Sequence, residues 1–206
     1  MGMLSEAGIL AGGAWASGVN LYLTVAGLGI AERAGLMDLP GRLDVLSHPL
    51  VITAALVLFA IEFLADKIPY VDSAWDSFHT FIRPAGGAVM AYMASSGAGA
   101  EVQVAAALVC GTIALDAHLT KASARVAINT SPEPLSNIAA SAAEDASVVV
   151  LLWLMARHPV IAGILVLSFL VFSIWFLKVM FRFLKKVLTF FSRGNKEGGR
   201  PGGVGS

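Results

Sequence analysis

The chain has 206 residues, 57% of them hydrophobic and only 14% charged, with a formal net charge of zero. Soluble domains carry about 25% charged residues, so this composition, with a mean hydropathy of +0.77, excludes a soluble ligand-binding module. Zero net charge likewise leaves no electrostatic pull on nucleic acid as a partner.

The first residues, Met1 to Glu6, lack the basic region of a secretory signal, and the start does not match a myristoylation motif. Residues 7–31 form the first hydrophobic segment, rich in Gly and Ser, with Ser17-Gly18-Val19-Asn20 near its middle. Asn20 at membrane depth needs a hydrogen-bond partner. Two arrangements fit. In one, the small residues let helices pack closely. In the other, the helix breaks at Gly18 and exposes backbone groups. Residues 32–49 read as a polar, turn-rich connection in which His48 is a loop residue rather than a metal ligand, since no His or Cys lies at ligand spacing.

Residues 50–65 form a second segment ending in Glu62-Phe-Leu-Ala-Asp66-Lys67-Ile-Pro69, where the two acids share a helix face and Pro69 closes the helix. Residues 70–84 mix acids and aromatics and read as an interfacial loop or short helix anchored by Tyr70 and Trp75. Pro84 then opens residues 85–97, which are short for a full span. The segment 101–119 follows and holds Cys110, the only cysteine, which reads as a small buried hydrophobe. Its end carries Asp116, His118 and Lys121.

Residues 137–157 read as a membrane-spanning helix interrupted by Glu144-Asp145, two turns from its start. A carboxylate at the bilayer centre costs at least about 2.5 kcal/mol, so such groups usually face an interior or a pathway. At least one of the two is expected to approach Asn20, Asp66 or His118. The last segment, 160–181, continues into a tail of Lys178, Arg182, Lys185, Lys186 and Arg193 interleaved with Phe, suited to an anionic membrane surface. Gly-rich composition from Gly194 onward argues disorder.

The expected architecture is therefore an all-helical, polytopic transmembrane bundle of about six hydrophobic segments over residues 1–181, one or two of them broken or re-entrant, with a basic tail at 182–206. With six crossings and both termini inside, 11 of the 14 Lys and Arg residues fall on the inner side. An acid followed five residues later by lysine occurs twice, Glu62 to Lys67 and Asp116 to Lys121, which suggests a parallel internal repeat with the two helices side by side. Two readings of these pairs stay open: charge pairs at the membrane boundary, or parts of a site.

The Ser17-Gly18-Val-Asn20 element, the Glu62 to Asp72 block, Arg83-Pro84-Ala-Gly-Gly-Ala and the Ser131-Pro-Glu-Pro…Asn137…Glu144-Asp145 block resemble the bacterial membrane family termed domain of unknown function 4126. The resemblance implies a polytopic inner-membrane protein and supplies no activity. The residues themselves point to a small transporter or channel for a cation or a proton-coupled solute, with Glu144, Asp145, Glu62, Asp66, Asp116, His118 and Asn20 along the pathway. Lys67, Lys121 and Arg83 are their charge partners, or the holders of an anionic headgroup. A membrane scaffold that associates through small-residue faces, with a homo-oligomer as one outcome, is the alternative. An intramembrane enzyme fits less well, because no His-Glu-x-x-His or Gly-x-Ser-x-Gly motif is present. No cofactor is implied, and the metal question stays open.

Overall fold

The computed structural model describes residues 2–68, 70–129 and 134–197, with side chains through Lys186. Pro69, the Ser131-Pro132-Glu133 stretch and the Gly-rich end after Glu197 lie outside the described residues. The elements are α1 (Met3–Val19), α2 (Leu21–Arg33), a short 3-10 turn (Leu43–Ser47), α3 (Pro49–Ala65), α4 (Val71–Ala94), α5 (Ala100–Ile128), α6 (Pro134–Arg157) and α7 (Pro159–Glu197), with no strand among the described residues.

Burial is inverted relative to a water-soluble protein. Arg83 and Arg125 are 0% exposed, whereas Leu108 is 68% and Val171 73% exposed. An apolar exterior around a charged interior is stable only in an apolar solvent. Ala100–Ile128, Leu135–Arg157 and Pro159–Lys186 are each long and apolar enough to cross a membrane, and α3 is a shorter apolar helix. The chain is an integral membrane helical bundle.

The first hydrophobic segment turns back on itself. Asn20 is extended (φ −149°, ψ 99°) and separates α1 from α2. Its side-chain Oδ1 accepts from the Leu23 amide at 3.0 Å, the N-cap of α2. Leu28 of α2 then lies beside Gly13 and Ala14 of α1. Met3 and Glu6 share a cavity with Pro40, Gly41 and the α4–α5 turn at Ser95 and Gly97. The start of α1 and the chain after α2 thus sit at one end of the bundle, with the break at mid-depth between them. After this hairpin, the shorter α3 and the residues that follow it lead the chain to the start of α4 at the other end, and α4, α5, α6 and α7 each run between the two ends. Met3 and the C-terminal end of α7 therefore lie at opposite ends. This differs from the expectation of six crossings with both termini on one side, and the reason is local: one extended residue at Asn20 reverses the chain.

Three further differences follow from helix continuity. Residues 71–84 are neither a loop nor a separate short helix but the first part of α4, with Pro84 inside the helix. The segment 85–97 is thereby completed to 24 residues, about 36 Å at 1.5 Å per residue. Trp75 stacks on His79, with centroids 4.7 Å apart, rather than standing free as an anchor; Tyr70 is exposed. Helix α5 continues nine residues past Leu119. Helix α7 runs to Glu197, past the Gly194 at which composition suggested disorder.

The α1 helix lies at the centre, against α4, α5, α6 and α7. Its glycines permit this. A Cβ at Gly8 would strike the Pro159 carbonyl oxygen, and one at Gly18 the Ala114 carbonyl oxygen. At Gly13 it would meet only Met155 Cε, at 3.8 Å. Gly18→Ala is therefore expected to destabilise the protein by about 1–3 kcal/mol through overpacking, and Gly13→Ala to be neutral or slightly stabilising, as read by unfolding in detergent. Tags placed before Met1 and after Ser206 should be reached by protease from opposite sides of a sealed membrane; protection of both on one side would overturn the hairpin.

Candidate functional site

Four helices carry polar stripes at helical spacing. On α4 these are Asp72, Asp76, His79 and Arg83; on α5, His118, Lys121, Arg125 and Asn129. Steps of three or four residues put each set on one helix face. Helix α3 contributes Glu62 and Asp66, and α6 contributes Asn137, Ser141, Glu144 and Asp145. All but Glu144 and Asp145 are buried, and those two are half-buried.

Arg83 is the innermost cation. One guanidinium nitrogen donates to Glu62 Oε1 at 2.6 Å. The other lies 3.2 Å from Asp76 Oδ1 and 3.0 Å from His118 Nδ1. A guanidinium only donates, so His118 Nδ1 accepts and the neutral ring carries its proton on Nε2. That nitrogen donates to Thr80 Oγ1 at 3.0 Å, and the hydroxyl passes its own proton to the Asp76 carbonyl at 3.0 Å. Lys121 comes next, with Asp66 at 3.0 Å, Glu144 at 3.5 Å, Glu62 at 3.7 Å and Asp76 at 3.9 Å. Arg125 grips Glu144 with two bonds, 3.0 Å from Nε and 2.7 Å from the second nitrogen. Its third nitrogen donates to the Asp66 and Asn137 carbonyls at 3.2 and 3.1 Å. From there Asn137 donates to Asn129, and Asn129 to both oxygens of Asp72. The network runs from mid-depth to the end of the bundle where α5 meets α6.

The break at Asn20 is tied to this network by its freed backbone groups. The last carbonyls of α1 have no helical partner and form the negative end of its dipole. Arg83 donates to the Gly18 carbonyl at 3.4 Å and Lys121 to that of Val19 at 3.3 Å. Asn20 Nδ2 donates to Asp145 Oδ1 at 3.0 Å. A second histidine sits alongside: His79 Nδ1 donates to the Trp75 carbonyl, and Nε2 accepts from the Tyr22 hydroxyl at 3.1 Å.

Compensation is uneven. Glu62 Oε2, Asp66 Oδ1, both Asp76 oxygens and Asp145 Oδ2 are buried and accept no protein hydrogen bond. The cations are better served, with only Arg83 Nε lacking a partner. Among the described residues, no three His, Cys, Asp or Glu side chains are arranged to hold a metal ion.

This chain belongs to the family described as Domain of unknown function (DUF4126). The family model matches residues 7–179. No curated protein and no solved structure matches the chain. The matched stretch contains the whole DUF4126 network and the α1–α2 break; the basic part of α7 from Arg182 lies beyond it.

Of the residues singled out from the sequence, Glu62, Asp66, Glu144, His118, Lys121 and Arg83 meet in the network, and Asp145 joins Asn20 at the break. Asp116 does not: it accepts from Ser173 of α7 at 2.6 Å. Lys67 lies at the rim, on the Phe63 carbonyl and Ser141. Desolvation holds its ammonium below its ordinary pKa, with Asp145 and Asp66 pulling the other way. Nor do α3 and α5 lie side by side, since α3 packs mainly on α2 and α5 on α4 and α1. The sequence alone does not single out Asp76, His79, Asn129 or the role of Arg125. The signal was present: Asp72, Asp76, His79 and Arg83 are spaced as one helix face once residues 70–84 are taken as helix.

Removing a partner from a buried ion pair costs about 3–5 kcal/mol, because the other charge is left uncompensated. Arg125→Leu should lose stability on that scale in detergent unfolding. Adding Glu144→Gln should recover part of it, with a coupling of about 1 kcal/mol or more; strictly additive losses would mean that the fork contributes nothing.

Proposed function

We propose that this integral membrane protein is a transporter or channel that carries a cation, in the simplest case a proton, through the buried network. The observation that carries the reading is the set of buried carboxylate oxygens on Glu62, Asp66, Asp76 and Asp145 that accept no protein hydrogen bond. Buried acceptors of this kind are satisfied by water, a cation or a proton. Charge balance points the same way. Glu62, Asp66, Asp72, Asp76, Glu144 and Asp145 outnumber Arg83, Lys121 and Arg125, even with Lys67 counted at the rim. Excess negative charge in a low-dielectric interior is costly unless neutralised, and a proton needs no coordination sphere. An anionic substrate fits less well, because Arg83, Lys121 and Arg125 are already engaged by acids and carbonyls.

We infer a plasma-membrane location of the bacterial type, with the network end of the bundle facing the cytoplasm. Lys178, Arg182, Lys185 and Lys186 extend from that end on α7, whereas Arg33, Arg42 and Arg157 belong to the other. On this reading the N-terminus faces outward.

The competing reading is a membrane scaffold in which the network only locks helices together. Reconstitution into liposomes containing a pH-sensitive dye separates the two. Glu144→Gln and Asp145→Asn should insert and elute like the wild type, while proton flux falls by roughly an order of magnitude. Unchanged flux across pH in both variants would assign the pair to structure alone.

A further inference from the structure

The ionic network occupies only half of the bundle's depth. Arg83 and Asp72 are eleven residues apart on α4, and Arg83 and Ala94 are eleven residues apart in the other direction. Each interval is about 16 Å of helix, and the two together match a hydrocarbon core of about 30 Å. Two cavities in the half between Arg83 and Ala94 are bordered by α4. At the bundle end lies a vestibule of about 550 Å³, bordered by Glu6, Leu10, Pro40, Ala94, Ser95 and Val102. Deeper is a space of about 10 Å³ among Leu10, Gly13, Ala14, Leu28, Gly87 and Met90. Leu10 borders both. Gly87, at the floor of the second, packs closely on α1 and α5: a Cβ there would lie 2.9 Å from Ser17 Oγ and 2.8 Å from Ala114 Cβ. One turn below Gly87 is Arg83, on the Gly18 carbonyl and Glu62.

We propose that this line is the access route to the network: the vestibule, then an apolar constriction formed by Leu10, Leu28 and Met90, then Ser17 beside Gly87, then the ionic chain from Arg83 to Asp72. The inference rests on the transport reading above and narrows its substrate to the proton. A space of about 10 Å³ is at the lower limit for a single water. Its walls are apolar, and a constriction of that kind excludes hydrated ions by dewetting. A metal cation would have to shed its water with no ring of oxygens to replace it. A proton needs only a transient file of waters. Ser17 supplies the first polar step: its hydroxyl donates to the Ala14 carbonyl at 2.8 Å, which leaves the oxygen lone pairs to accept from a water. Glu6, exposed at the mouth, draws positive charge toward the vestibule. The bare Cα at position 87 lets α4 come up against Ser17 and Ala114, and any side chain there would press on both.

The test uses the full chain in liposomes, with proton flux read by an internal pH dye and sodium flux by a sodium dye. Wild-type protein should pass protons and not sodium. Met90→Ala, which shortens the constriction's longest side chain, should raise proton flux about threefold or more and begin to admit sodium. Gly87→Val should reduce proton flux to the liposome background. If that variant does not assemble, Ala14→Cys in a Cys110→Ala background gives the same information: a small thiol reagent added on the vestibule side should block flux, and the same reagent on the other side should not. A wild-type proton flux that depends on Asp145 yet is unchanged by Met90→Ala and by the thiol block would overturn the route and leave the transport reading standing. Sodium flux through the wild type would overturn the proton selectivity. No flux of either ion through the wild type would remove the transport reading and the route with it.

Discussion

Three cations, Arg83, Lys121 and Arg125, have to be neutralised where bulk water does not reach, and the arrangement of the other helices follows from how that is done. Helices α3, α4 and α6 supply carboxylates or polar amides to them, and the broken end of α1 supplies two backbone carbonyls. The break is therefore not a defect in a hydrophobic helix. Carbonyls freed at Gly18 and Val19 would be intolerable at mid-depth if they faced lipid; facing a guanidinium and an ammonium, they become part of the charge balance. The dependence is mutual, since Arg83 and Lys121 would each lose a ligand if α1 ran straight through.

The hairpin also explains the glycine content of the first segment. A re-entrant helix enclosed by α4, α5, α6 and α7 must approach their backbones closely. At Gly8 and Gly18 the neighbouring atoms are carbonyl oxygens, which do not yield as a flexible side chain would. At Gly12 and Gly27, by contrast, the neighbours are the side chains of Met155 and Leu152. Glycine is thus required by backbone contact at some positions and merely accommodated at others.

The helical class and the polar positions at depth were legible from composition and from acids set inside apolar runs. Glu144 and Asp145 stood out because a carboxylate pair in such a run has few inexpensive explanations, and Asn20 because a mid-segment amide needs a partner. What was not legible followed from reading charge density as a sign of the membrane surface. Residues 70–84 carry enough charge and enough aromatic side chains to resemble an interfacial loop. Apart from the contact between Arg83 and Asp76, the partners of these charges lie on α5 and α3, distant in sequence, so little that is local shows that the charges are paired and buried. Pro84 added to the error: proline at a helix start is favourable, and that local rule says nothing about a proline tolerated inside a packed helix. The repeat failed to pair its halves for a related reason. Spacing along one helix fixes which face a residue occupies, but not which neighbour that face meets: Asp116 turns to Ser173 while Lys121, five residues on, enters the network.

Whether such a network serves only to hold helices together can be argued from how it is satisfied. A buried ion-pair cluster is a poor source of stability, since well-packed apolar residues of the same volume are often as good or better. A cluster that only locks a structure gains most when every lone pair is used. Here the matching is one-sided. Arg125 uses all three nitrogens and Lys121 has several acceptors within reach, while Asp76 accepts nothing at either oxygen and Glu62, Asp66 and Asp145 each keep one oxygen free. Apart from Arg83 Nε, the free valences of the network's charged groups are on acids, and the acids sit between a break at mid-depth and one end of the bundle. On the transport reading proposed above, carboxylates held in place by fixed cations, with acceptors to spare, are the groups that exchange protons with one another and with water. That reading rests on this one-sided matching more than on the strength of any one pair.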